Sequence, residues 1–295
     1  MNRRGFMKWL SSLALTGLAT ATYGFIIEPG LRLRTTTYAL TPPRWTPGLK
    51  LRIVLLADPH LVEPWMTLNR WQRIINAANA LEPDMHLLLG DYVAGHFYRT
   101  GTVKVADGAK IATALKSRLG TYAICGNHDW WDDKSAQKRK SGPIIAQTAF
   151  EEVGIPVLEN RAMYIANGDK PFWLTGTSSL VAIVKGRGHF ESRALLPETL
   201  AQVTDDAPII HMAHEPDLFV DMPERVSLTL SGHTHGGQVR LFGYSPVVPS
   251  QYGNRFAYGH VIEEGRHLIV SGGLGCSMVP VRFGSPPEIV VLELG

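Results

Sequence analysis

Five short clusters in this sequence carry side chains that hold hard or borderline divalent cations. Ala57-Asp58-Pro59-His60 supplies a carboxylate and an imidazole two residues apart, and Gly90-Asp91-Tyr92 supplies a second carboxylate. Gly126-Asn127-His128-Asp129 adds an amide oxygen. Three more candidate imidazoles, His214, His233 and His235, come from His211-Met212-Ala213-His214-Glu215-Pro216 and Ser231-Gly232-His233-Thr234-His235-Gly236-Gly237. Asp58, His60, Asp91, Asn127, His214, His233 and His235 thus offer carboxylate, amide and imidazole donors without thiolate, a set suited to Mn, Fe, Zn, Ni or Mg. So many donors exceed the protein ligands of a single catalytic zinc. They match two cations sharing one carboxylate, with positions left for water and substrate.

Each cluster closes an apolar run. Leu51 to Ala57, Met85 to Leu89, Tyr122 to Cys125, Pro208 to His211 and Ser227 to Leu230 are short and apolar enough for buried strands. Met66 to Leu81 places Leu68, Trp71, Ile74, Ile75, Ala78 and Leu81 on one helical face, and Gly108 to Leu119 and Pro143 to Val153 predict two more helices. Strand alternating with helix implies parallel pairing, and in such sheets ligands collect outside the carboxyl ends of the strands. Residues i and i+2 of an extended strand end face one side, so Asp58 with His60, and His233 with His235, aim together. Further strand-like runs follow Pro156, at Pro171 to Thr175, Leu268 to Ser271 and Glu288 to Leu294. The expectation is an α/β fold of two sheets packed face to face with helices outside. Its domain spans 49–295, after a Pro- and Thr-rich leading strand or linker at 28–48.

The five ordered clusters resemble the sequence blocks of the calcineurin-like metallophosphoesterases, from about residue 50 to 295. The early Glu28-Pro29-Gly30 and the tail Gly273-Leu274-Gly275, Pro280-Val281-Arg282-Phe283 and Pro286-Pro287-Glu288 are similar to those of its exported bacterial phosphodiesterases. The resemblance implies a two-sheet β-sandwich flanked by helices, in four layers. It implies that Asp58, His60 and His235 hold one metal and Asn127, His214 and His233 the other, with Asp91 bridging. The cofactors are then two divalent ions from among Mn, Fe, Zn and Ni. The implied reaction is attack on phosphorus by a metal-bridging hydroxide, without a phosphoenzyme, while His128 faces the phosphate and stabilises charge or protonates the departing oxygen. One departure stands out. Many phosphatases of the superfamily carry, three residues after the bridging Asp, a carboxylate that orients the catalytic His, and here that residue is Ala94. Either another group orients His128 or its proton transfer contributes less.

The chain has 295 residues, 45% hydrophobic and 19% charged, which excludes a disordered, collagen-like or coiled-coil protein. Two cysteines cannot build a disulfide framework, and Cys125 and Cys276 are expected as separate buried thiols. Arg3, Arg4 and Lys8 supply the basic excess, so the remainder is near neutral and no nucleic-acid partner is expected. Those residues precede an uncharged stretch from Trp9 to Ile27, the pattern of an export signal. The adjacent arginines followed by Phe6 and Lys8 resemble a twin-arginine signal, whose partner is the machinery that exports folded proteins. Residues 1–27 are therefore a signal or anchor, and the expected location is the periplasm or the outer face of the cytoplasmic membrane. Ala19-Thr20-Ala21 offers a cleavage site, so removal and retention both stay open.

His86, His96, His189, His211, His260 and His267 read as structural histidines. Asp129 and Glu215 read as surface groups or as supports for a neighbouring imidazole. The Trp130-Trp131 pair reads as packing. Two apolar-aromatic loops, Leu61 to Met66 and Val239 to Tyr258, either add to the core or form a lip that meets a membrane surface. The leading function is hydrolysis of a phosphodiester or pyrophosphate at the envelope, on a phosphoester substrate that such a lip would take from a lipid-linked pool. Phosphomonoesterase or nucleotidase activity is the nearest alternative. A UDP-diacylglucosamine-type pyrophosphatase has a cytoplasmic substrate, which conflicts with the signal. A non-catalytic metal-bound envelope scaffold is opposed by the intact His128.

Overall fold

The computed structural model describes residues 2–186 and 188–295. Two sheets form its centre. The first runs, in spatial order, through the strands Arg34–Leu40, Glu288–Leu294, Leu51–Leu56, Met85–Leu88 and Thr121–Ala123. The second runs through Gly259–Glu263, Arg266–Val270, Leu228–Ser231, Ile209–Met212, Phe172–Gly176 and Arg161–Ile165. Leu51–Leu56, Met85–Leu88 and Thr121–Ala123 pair in parallel, as do Phe172–Gly176, Ile209–Met212, Leu228–Ser231 and Arg266–Val270. Glu288–Leu294 enters antiparallel to Leu51–Leu56 and parallel to Arg34–Leu40. The first sheet therefore takes in residues upstream of 49, where the domain was expected to begin.

Side-chain alternation explains the layers. Ile53 and Leu55 face Leu174, Ile210, Met212 and Leu230 in the core between the sheets, while Val54 and Leu56 turn outward to the helices. Leu68–Asn79 is the best-specified of these helices. Thr67 accepts the N–H of Arg70 at its start, and Trp71, Ile74, Ile75 and Ala78 form its buried stripe. The helix expected over Gly108 to Leu119 instead spans Val105–Ala112 and then unwinds into turns that bring Asn79 Oδ1 to the N–H of Lys116. Ile145–Glu152 completes this layer. Leu196–Leu200 and the short turns Pro216–Asp221 and Gly253–Phe256 cover the second sheet, giving a mixed α/β fold of helices, two sheets and helices.

A leading helix, Arg3–Thr22, is capped by the Asn2 side chain and continues with π-type hydrogen bonding through Tyr23–Leu31. It is long and apolar enough to cross a membrane. No residue of Arg3–Thr22 is buried, whereas Gly24, Glu28 and Pro29 are buried against the domain.

Candidate functional site

The five clusters converge where the parallel strands of both sheets end. Sharp turns bring them there. Asp58, His60, Asp91, His233 and His235 have φ of 52°, 46°, 57°, 69° and 54°, left-handed values that cost a non-glycine residue on the order of 1–2 kcal/mol each. Backbone bonds between clusters hold these turns. The N–H of Asp58 donates to Gly90 O (3.1 Å), that of His60 to Asp91 O (3.0 Å), and that of Gly232 to His214 O (3.1 Å). The buried Asp129 carboxylate receives the N–H groups of Asp91 and Gly126 (both 2.9 Å), of Tyr92 (2.9 Å) and of Val93 (3.2 Å), clamping the second cluster to the third. Gly126 has no room for a side chain: a Cβ there would lie 2.3 Å from Asp91 Oδ1.

The donors form two groups. Asp58, His60 and His235 bring one ligand atom each within 4.8 Å of one another, and so do Asp91, His214 and His233; His60 and Asp91 also meet that distance together with His128. Asp91 Oδ2 joins them, 3.6 Å from His60 Nε2 and 3.2 Å from His214 Nε2. Asn127 Oδ1 lies 2.8 Å from His233 Nδ1, at the edge of the second group. All seven sequence-predicted donors are thus brought together.

Tautomers are set from behind. His60 Nδ1 meets the Val93 carbonyl at 2.8 Å and His214 Nδ1 meets that of Leu89 at 2.6 Å. A carbonyl only accepts, so both rings carry a proton on Nδ1; His60 turns an Nε2 lone pair toward the centre, and His214 does so once a cation displaces its Nε2 proton. His235 differs, because its Nδ1 faces a donor, Arg282 Nη2, at 3.2 Å. Burial pushes His60 down to about 3 and also lowers His233 and His235, favouring the neutral imidazole that ligation needs. Burial, helped by the nearby Asp91 charge and opposed by His214, pushes Asp58 up to about 7. Burial opposes charge on His214 and Asp91 too, but their contact outweighs it, holding the ring above and the carboxyl below its ordinary range. A divalent cation fits this chemistry. His214 Nε2 is buried and, though 3.2 Å from Asp91 Oδ2, is off the angle of a hydrogen bond. His60 Nε2 and His235 Nε2 stand 3.0 Å apart, aimed at the same space.

His128 stands beside these groups. Its backbone N–H donates to Asp91 Oδ1 (2.8 Å), its ring lies edge-on to His60 with centroids 4.9 Å apart, and Nε2 meets Ser277 Oγ at 3.2 Å. The ring packs on Gly95, where a Cβ would come within 2.5 Å of Cε1. Trp131 lies 4.9 Å from it and stacks on Phe190, whereas Trp130 is buried packing. Burial lowers the pKa of His128, partly opposed by Asp91.

Sequence reasoning missed three residues. Ser277 is one. Arg282 is another: wholly buried, it donates from Nε to Gly275 O (2.9 Å) and from Nη1 to Ser285 O (2.7 Å) while touching His235. The third is Glu28 of the leading segment, whose carboxylate receives the N–H groups of Gly284 (3.0 Å) and Ser285 (2.7 Å). Ser285 Oγ in turn donates to His235 O (3.0 Å). The only signal in the sequence was the Glu28-Pro29-Gly30 and Arg282 motifs themselves, without a role for either.

Other candidates lie apart. Glu215 holds Ser179 Oγ (2.5 Å) and Leu180 N–H (2.9 Å) and so supports a turn rather than an imidazole. His211 bonds to Thr175 Oγ1, His260 and His267 pair near the surface, and His86 is buried beside the helix Leu68–Asn79. Cys125 and Cys276 are both free and buried. Of the two apolar loops, Leu61, Val62 and Met66 belong to the core, whereas Leu241, Phe242, Tyr244 and Val247 are exposed.

The sequence profile of the calcineurin-like phosphoesterases matches residues 51–237, which include every donor named above. The chain is 29% identical to the metallophosphoesterase YkuE of Bacillus subtilis, across 100% of this chain and 98% of that one. It is 30% identical to the phosphodiesterase YaeI of Escherichia coli, across 82% of each. A transmembrane protein with a metallophosphoesterase domain from Danio rerio is 28% identical over 83% of this chain, which spans 53% of that longer protein. With this match over more than half its length, on a mixed α/β fold with clustered metal-type donors, the chain belongs to the calcineurin-like phosphoesterase family and is a metal-dependent phosphoester hydrolase.

Proposed function

We propose that the protein is a dinuclear hydrolase of phosphodiester or pyrophosphate bonds that works at the cell envelope. The observation that carries this reading is the position of Asp91, whose carboxylate touches both donor groups. Asp58, His60 and His235 would hold one divalent ion, Asn127, His214 and His233 the other, and Asp91 would bridge. Such ions, when bound, lower the pKa of water and neutralise charge on phosphoryl oxygens. The chain's own residues do the rest. Val93 and Leu89 keep the His60 and His214 lone pairs pointed inward, and Asp129 fixes the turn that carries Asp91. His128, its pKa lowered by burial and its Nε2 beside Ser277, faces the phosphoryl group, where the neutral ring stabilises charge through its N–H and the protonated ring would give its proton to the leaving oxygen, returning to the neutral form. Ala94 leaves that ring without a carboxylate partner, which fits a diester or pyrophosphate substrate better than a phosphoprotein.

The envelope location rests on Arg3-Arg4 ahead of the exposed apolar helix, read as twin-arginine export. Cleavage after Ala21 and retention of the helix both leave Glu28 in place. The metal assignment is tested with Asp91→Ala in the full chain. Metal-to-protein ratios should fall at both positions and hydrolysis of bis-p-nitrophenyl phosphate should nearly vanish. A variant that binds two metals with wild-type affinity would refute the bridge.

A further inference from the structure

Beside the donor cluster lies a cavity of about 550 Å³, a size typical of ligand pockets. Val239, Pro246, Val247, Met278, Val279 and Val281 line it, and no Asp, Glu, Lys or Arg among the described residues does. It borders the candidate centre, because His235 and Ser277 also form part of its wall and Ser277 meets His128. A nucleotide or sugar would meet few donors in such a lining. A hydrocarbon chain needs none.

Two further features say where such a chain comes from. Val281 of the lining is followed directly by the residues on which the leading helix docks: Arg282 N–H donates to Gly24 O (2.9 Å), and Tyr23 packs edge-on against Phe283 with centroids 5.5 Å apart. The apolar helix thus emerges alongside the cavity. The lining residue Val247 is itself exposed and follows closely in the chain on exposed Leu241, Phe242 and Tyr244, an apolar stretch that leads to the cavity as its rim.

Resting on the hydrolase reading above, we propose that this cavity is the subsite for the alkyl or acyl chain of an amphiphilic phosphodiester, drawn from the bilayer that the leading helix enters and placing its phosphate between His128 and the donor cluster. The rim then meets the membrane surface, and the substrate passes from lipid to cavity without crossing water.

The test uses the full-length, metal-loaded protein and methyl, hexyl and dodecyl p-nitrophenyl phosphates below their micelle-forming concentrations. Bis-p-nitrophenyl phosphate serves as the chainless reference. Burial of each methylene should raise kcat/KM by about fourfold until the cavity is filled, roughly a thousandfold between methyl and hexyl if all five added methylenes are buried. Val247 is exposed, so Val247→Asp should fold normally and flatten the chain-length series, whereas Val247→Leu should keep the slope. A flat wild-type series with good turnover of the reference overturns the subsite. A steep series that Val247→Asp leaves unaltered also overturns it, since the chain would then lie elsewhere. Failure to hydrolyse the reference at all would instead defeat the hydrolase reading.

Discussion

Ser277 Oγ lies 3.2 Å from His128 Nε2, across 149 positions of chain. The residue three after Asp91 is Ala94, so the group that meets the candidate catalytic ring comes from the far end of the domain. Its hydroxyl both donates and accepts, and it can follow the ring through a change of protonation where a carboxylate would favour the charged form.

His128→Ala should keep both metals, because the ring is assigned to substrate, and lose about 10²–10⁴ in kcat. Ser277→Ala should lose about two- to tenfold, the worth of one neutral hydrogen bond. The double variant should resemble His128→Ala, since the two act as a unit. The His128→Ala defect should be smaller with p-nitrophenyl than with alkyl leaving groups, as a phenolate needs the proton less. Metal loss in His128→Ala, measured by elemental analysis, would contradict the assignment.

Glu28 ties the leading helix to the turn behind His235. Glu28→Ala strands the buried N–H of Ser285 and frees the partly buried one of Gly284, at a cost of about 1–3 kcal/mol, which is roughly 3–10 °C in Tm for a domain of this size. Metal content should fall with it, because Ser285 no longer steadies the His235 backbone. Thermal melts and metal ratios that match the wild type would show that the clasp bears no weight.

Acid should destabilise the fold through imidazoles away from the centre. Burial pushes His211 down to about 3 and His86 to about 4, against an ordinary 6.5. Below pH 6.5 the unfolded chain binds protons that the folded one refuses, so this stability is complete above pH 6.5 and drains away as pH falls toward those folded values. Each group should cost about 2 kcal/mol by pH 5 relative to neutrality. Urea midpoints of wild type and His211→Gln, compared at equal metal loading between pH 7 and pH 5, should show a shallower decline for the variant. Equal slopes would sink the argument.

Replacing Arg3 and Arg4 by Lys keeps the charge but removes the twin-arginine pattern. The variant should accumulate in the cytoplasm as full-length chain while the wild type reaches the envelope. Fractionation decides it. Equal export of both would make the segment a general secretory signal or anchor.

Much of the site was legible because its residues sit next to strong local signals. Asp58 follows the apolar run that becomes Leu51–Leu56, and His233 follows Leu228–Ser231, so strand ends and donors could be read together. Ser277, Arg282 and Glu28 could not, since each acts through contacts that span from 47 to 257 positions and leave no local pattern. The strand Glu288–Leu294 was visible as an apolar run, but its place between Arg34–Leu40, to which it is parallel, and Leu51–Leu56, to which it is antiparallel, is a matter of topology. The helix expected to reach Leu119 stops at Ala112, because the backbone beyond serves turns that bond to Asn79 rather than continuing the ladder.

The leading helix has no linker at its inner end, since Glu28 and Pro29 are already buried in the domain. A protein so joined cannot tumble freely above a bilayer that holds the helix, and its opening keeps one orientation to the lipid. Its encounters then take place over an area instead of a volume. For a lipid in the same leaflet, turnover would follow the number of substrate molecules per unit of membrane and would be indifferent to dilution of the surrounding fluid.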